Sequence, residues 1–165
     1  QKMYTAYNMW YEDAGRMFST HYKKGAMIPA GTEVKDISIS GGRRPAITFK
    51  IAKSNMTCRV YFVAGHHPGV TPRQYADRMF TTKTFEEMTQ GMTKEEIDAI
   101  KEGRLVVGMS KPAVIMAYGY PPEHRTSSLD AKKWTVWLDR FRSKNIFFDE
   151  NDRTMKPEEA TEDEI

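Results

Sequence analysis

Three features of the 165-residue chain predict an α+β fold, with two or three short helices packed on an antiparallel sheet and a β-rich half in front. Strand-like alternation recurs through the first 63 residues; two capped helices, opening at Thr71-Pro72 and Thr93-Lys-Glu-Glu96, occupy the middle; alternation returns after residue 133. Strands and helices grouped apart, and not taking turns, lead to helices on one face of an antiparallel sheet. The division expected is a β-rich subdomain over 1–70, an α+β domain over 71–153, and an acidic, solvated tail over 154–165.

The elements follow in order. Met3, Thr5, Tyr7, Met9 and Tyr11 alternate with Tyr4, Ala6, Asn8 and Trp10 and carry no helix cap, which reads as one strand. Ile28-Pro-Ala-Gly-Thr32 is a turn, since proline holds φ and glycine admits positive values. Three strands are expected next, Glu33 to Ser40, Ala46 to Ile51 and Thr57 to Val63, separated by Gly41-Gly42 and by Lys53-Ser54-Asn55. Ile47, Phe49 and Ile51 share one face of the second, as in a half-buried antiparallel strand. A β-meander results.

Thr71 then caps a helix to about Phe80, with Pro72 in the first turn, where its missing N–H is harmless. Thr93 and Glu96 form a capping box, Ile97 and Ile100 are the packing stripe, and Gly103 is the stop; residues 81–92 read as a connection. In Gly108-Met-Ser-Lys-Pro-Ala-Val-Ile-Met-Ala-Tyr-Gly-Tyr-Pro-Pro122, Ser110 is the N-cap, Val114, Ile115 and Tyr118 make an apolar face, and Gly119 with Pro121-Pro122 ends the helix. Its glycines are too far apart for a phosphate cradle. Such a short helix must dock on a sheet. Trp134, Val136 and Leu138 alternate in a further strand, and Arg142 to Asn145 lead into Ile146-Phe-Phe148.

Composition limits the function. Nothing approaches the length of an apolar membrane span, and the first residue, Gln1, suggests a processed chain whose targeting segment has been removed. The lone Cys58, in Thr57-Cys-Arg-Val-Tyr-Phe-Val63, reads as a small buried hydrophobe and excludes an internal disulfide. Net charge is +3, but residues 1–148 hold 23 basic and 14 acidic side chains, while 149–165 hold eight acids against Arg153 and Lys156. The basic residues are dispersed, so nucleic acid is not an expected partner.

Ile100-x-x-Gly103, "VGMSKPAVIMAYGYPP", "KWTVW" (Lys133 to Trp137) and "NIFFDENDR" (Asn145 to Arg153) together resemble the BamE/SmpA/OmlA family of small bacterial outer-membrane lipoproteins over about residues 93–153. The resemblance implies two helices on a three-stranded antiparallel sheet, a lipid anchor outside this chain, a position at the periplasmic face of the outer membrane, and a role in protein–protein contact without catalysis. Two departures stand out: the β-rich residues 1–80 exceed the compact family domain, and its "W-x-Y" strand position reads Trp134-Thr-Val-Trp137. The alternative is a secreted inhibitor or ligand-binding module of the same fold.

No motif supports catalysis, and neither cofactor nor metal is expected. His66-His67 lies in a Gly-Pro loop and reads as solvated, with no carboxylate or third histidine near in sequence; His21 and His124 are isolated. Glu86-Glu87 and Glu95-Glu96 sit where helix starts favour carboxylates. The candidate protein-binding residues are Tyr118, Tyr120, Trp134, Trp137, Arg140 and Arg142, the aromatic and arginine types that interface hot spots favour.

Overall fold

The computed structural model describes residues 1–156. Its strands are β1 (Met3–Thr5), β2 (Met9–Tyr11), β3 (Met17–Phe18), β4 (Ala26–Ile28), β5 (Glu33–Ser40), β6 (Ala46–Ile51), β7 (Thr57–Tyr61), β8 (Phe80–Thr81), β9 (Lys133–Trp137) and β10 (Ser143–Phe147). Its α-helices are α1 (Pro72–Met79), α2 (Phe85–Met88), α3 (Lys94–Glu102) and α4 (Lys111–Tyr118). The fold is α+β. A six-stranded sheet runs β3-β7-β6-β5-β1-β8, mixed because β3 pairs with β7 in parallel, and the antiparallel pair β2-β4 and the hairpin β9-β10 stand apart from it.

The meander β5-β6-β7 forms as its alternation and turns require, with Ile47 and Phe49 buried from β6. Asp36, at φ +54°, accompanies a register shift in β5 between Lys35 and Ser38; such bulges sharpen sheet twist. The N-terminal run is not one strand. It breaks at Ala6-Tyr7-Asn8 because its backbone changes partners: Thr5 N–H donates to Thr32 O, Ala6 N–H to Met79 O and Asn8 N–H to Met116 O.

The helices carry the expected caps: Thr71 with Gln74, Thr93 with Glu96, and Ser110 over Ala113 N–H. The connection after α1 holds two unexpected elements, β8 on β1 and α2 with its own Thr84–Glu87 capping box. In α4 the buried face is Ala113, Val114, Met116 and Ala117, while Ile115 and Tyr118 are only half-buried.

Two apolar clusters fill the interior. One joins Tyr7, Met9, Ile47, Phe49, Phe62 and Val60 to Tyr75, Met79 and Phe80 of α1 and β8, so α1 packs with the β-rich half and not with α3 and α4, with which residues 71–153 had grouped it. The other joins Ile100, Val114, Met116, Trp134, Val136 and Phe148, and Ile115 packs against both. In this second half the observed sheet is the hairpin β9-β10; Phe148 and Thr154 add a single bridge beside it. Thr154, expected in the tail, is buried: its hydroxyl donates to Val106 O (2.7 Å) and accepts from Met109 N–H (2.9 Å). The rest of the expected tail, 157–165, lies outside the described residues.

The halves meet along a tight seam. Asn8 is fully buried; its Nδ2 donates to Ile100 O (2.7 Å) and Ala117 O (3.1 Å), and its Oδ1 accepts from Ala30 N–H (2.7 Å). The glycines ending α3 and α4 face this seam. A Cβ on Gly103, at φ +70°, would come within 2.7 Å of Met27 Sδ and 2.9 Å of Trp10, and one on Gly119 would overlap the His21 ring. Backbone geometry and close approach both require glycine there.

Candidate interaction cleft

Docking the halves creates an open cleft of about 350 Å³ between the N-terminal segment and the tip of the β9-β10 hairpin. Its buried lining includes Tyr7, Met9, Met17, Tyr75 and Met79, and its half-buried lining Trp10, Tyr11, Phe18 and Tyr22. The exposed rim includes Arg16, Arg140 and Phe141; Phe141 is 87% exposed, the most exposed large apolar residue among those described. A concave, mainly aromatic surface with a few charged groups at its edge is the usual make-up of a binding site.

The rim charges balance formally, with Glu12, Asp13 and Asp139 against Arg16, Lys24 and Arg140, but they are not equally available. Glu12 pairs with Lys24 (3.8 Å) and Asp13 accepts from Gly15 N–H (2.9 Å). Asp139 accepts the Arg142 guanidinium (2.7 Å) and the Phe141 and Arg142 amides (both 2.8 Å), and the guanidinium first, then the amides, hold its carboxyl below the usual range. Among the described residues neither Arg16 nor Arg140 meets a carboxylate; Arg140 lies over the Phe141 ring at 5.7 Å.

His21 closes the inner end of the cleft. It is 6% exposed, has φ +67°, and stands against Tyr7 (5.1 Å between ring centres) and Trp10 (5.8 Å), with neither ring nitrogen hydrogen-bonded among the described residues. Burial first, then the Lys23 ammonium, holds the imidazole well below its usual pKa, although nearby backbone of Asn8 and Tyr118 favours the charged ring. Lys23 is brought down to about 7 by burial; its Nζ donates to His21 O (2.6 Å).

Behind Tyr75 lies a polar chain that sequence spacing hides. Arg78 pairs with Glu123 Oε2, Glu123 Oε1 meets His67 Nδ1 at 2.9 Å, and His67 Nε2 meets Ser19 Oγ at 2.9 Å. Burial pushes the Glu123 carboxyl up, but its bonds to His67 and Arg78 outweigh this and leave it below the usual range. His67 is therefore buried and His66 half-buried, although Gly65, Pro68 and Gly69 around them are exposed as a solvated loop would be. A carboxylate and a third histidine reach it from far along the chain, His124 stacking on His66 at 4.5 Å. Serine, histidine and acid have the connectivity of a nucleophile, base and orienting group. Ser19, however, is 2% exposed, accepts the Val63 amide (2.8 Å) and does not line the cleft, so a substrate carbonyl has no approach to Oγ in this arrangement. The chain ties the loop before α1 to the segment after α4.

The six candidate binding residues are not brought together. Trp134 is 0% exposed, packed at 4.8 Å on Phe148, and is core: positions 134 and 137 fall on opposite faces of a strand. Trp137 is half-buried and stacks on His124 (6.0 Å). Tyr118 meets Trp10 edge-on at 6.0 Å, and Tyr120 meets Tyr7 at 6.0 Å beneath the Arg78 guanidinium. Arg142 is held by Asp139. Only Arg140 lines the cleft. Sequence reasoning missed Trp10, which read as a strand residue, and Arg16 and Phe18, which lie in a stretch without a clear period. Phe141 had a signal, an aromatic between two arginines next to a polar turn.

Compared with known protein families, curated proteins and solved structures, the chain has no match.

Proposed function

We propose that this chain is a non-enzymatic interaction adaptor of the bacterial cell envelope, similar over residues 93–153 to BamE/SmpA/OmlA lipoproteins and held at the periplasmic face of the outer membrane by a lipid anchor outside this chain. The observation that carries the binding part of the reading is the open aromatic cleft with two arginines at its rim that meet no carboxylate among the described residues. The motif residues of α3, α4 and β9-β10 support the envelope part. The alternative, a secreted inhibitor or ligand-binding module, is favoured by one point: most of the cleft lining comes from the N-terminal half, which the compact family domain lacks.

The test follows the full-length product in its host. Labelled palmitate is expected in the protein, the protein in the outer-membrane fraction, and a discrete photo-adduct from p-benzoylphenylalanine placed at Phe141, Tyr118 or Trp137. A lipid-free product in the medium would favour the alternative. A cytosolic product without adducts at any of the three positions would remove both.

A further inference from the structure

The kind of partner follows from the cleft, and this inference rests on the adaptor reading above. We propose that the cleft takes an extended acidic segment of a partner protein, with one large apolar side chain seated among the aromatics and its flanking carboxylates on Arg16 and Arg140.

The apolar seat is defined by size and lining. About 350 Å³, walled by Trp10, Phe18, Tyr22, Met17 and Met79, accommodates a phenylalanine- or leucine-sized group with adjoining backbone. Rings and thioethers adapt to such a group at little entropic cost. Phe141 remains 87% exposed on a turn that Asp139 holds rigid through two backbone amides, so an aromatic edge stands ready beside the seat.

The sign of the partner follows from which charges are already satisfied. Glu12, Asp13 and Asp139 have internal partners, whereas among the described residues no carboxylate meets the Arg16 or Arg140 guanidinium. Lys144 extends the positive field along the exposed hairpin. An acidic segment gains two charge-assisted contacts there, while a basic one meets unpaired cations. Guanidinium over an aromatic ring, as at Arg140 on Phe141, also suits a planar carboxylate.

Isothermal titration with the peptide Ac-Asp-Glu-Phe-Glu-Asp-NH2 tests this. Saturable, salt-sensitive binding is expected, abolished by replacing the peptide's Phe with Gly and weakened at least tenfold in the all-amide analogue Ac-Asn-Gln-Phe-Gln-Asn-NH2. Arg16→Gln and Arg140→Gln should each weaken it about three- to fivefold, the range of an exposed ion pair. Lys144→Gln removes the same charge from outside the cleft and should change it less than twofold. Failure of the acidic peptide to bind, equal binding of the amide analogue, or equal loss in all three protein variants overturns the assignment. Photo-adducts at Tyr118 or Trp137 with no peptide binding would leave the adaptor reading standing and move its surface; peptide binding by a cytosolic, adduct-free product would do the reverse.

Discussion

Replacing Asn8 tests how the halves are joined. Its side chain makes three buried bonds, to the carbonyls of Ile100 and Ala117 and from the amide of Ala30. Asn8→Ala leaves those backbone groups beside a small void that water does not readily enter. A buried donor or acceptor left alone costs roughly 1–3 kcal/mol. The Ile100 carbonyl retains a bond from Gly103 N–H (3.1 Å), which lightens its share. A loss of about 4 kcal/mol is expected, a large part of the roughly 5–15 kcal/mol that holds a domain together. Asn8→Asp keeps the acceptor for Ala30 N–H but turns an oxygen toward two carbonyls, so at pH 7 it should be at least as damaging. Its carboxyl pKa would be raised in the folded state, so its deficit should shrink as pH falls toward 4. Urea unfolding followed by far-UV circular dichroism and tryptophan fluorescence measures both. With Trp10→Phe in the background, fluorescence comes from Trp134 and Trp137 of the C-terminal half alone, and Asn8→Ala should also separate the two probes' midpoints. A loss below about 1.5 kcal/mol with one shared midpoint would show that Asn8 does not couple the halves.

Three further outcomes are expected. Trp134→Ala should cost about 3–5 kcal/mol in urea unfolding, as for a large core aromatic, while Phe141→Ala, on an 87% exposed ring, should stay within about 0.5 kcal/mol; similar losses would contradict the assignment of one to core and the other to surface. Gly119→Ala should destabilise by about 2 kcal/mol or more through its φ of +82° and its overlap with His21, and adding His21→Asn should recover only the steric share; strict additivity of the two changes would refute the contact. His21, lowered from 6.5 in the fold, binds its proton more readily when unfolded, so its contribution is complete above pH 6.5 and falls by about 1.4 kcal/mol per pH unit below it while the ring stays neutral. His21→Asn should reduce that slope between pH 6.5 and 5, leaving the share of His66 and His124, which are also lowered from 6.5, whereas Glu96 and Glu123, lowered from 4.5, act only at more acid pH; coincident slopes for variant and parent would rule His21 out.

Legibility divides by range. The meander was readable because alternation and turn residues act within a few positions, and Thr71, Thr93 and Ser110 cap their helices because an N-cap bonds only two or three residues ahead. Cys58 was readable too, and is fully buried. The split of β1 from β2 was not, because Asn8 answers to carbonyls 92 and 109 residues away. His67 was misread as solvated for the same reason: Glu123 lies 56 residues from it. Among the candidate binding residues, residue type suggested affinity, but burial decided that Trp134 packs inside and that Arg140 faces the cleft.

The sequence by itself thus determined the α+β class, the meander and the ends of three helices, since caps, turns and alternation draw on neighbouring residues. Tertiary structure alone decided that α1 joins the β-rich half, that Gly119 makes room for His21, and that a cleft opens between Trp10 and Phe141. Those outcomes depend on how two apolar clusters are pressed together across a seam of buried polar bonds, and no local pattern encodes which distant groups will meet there.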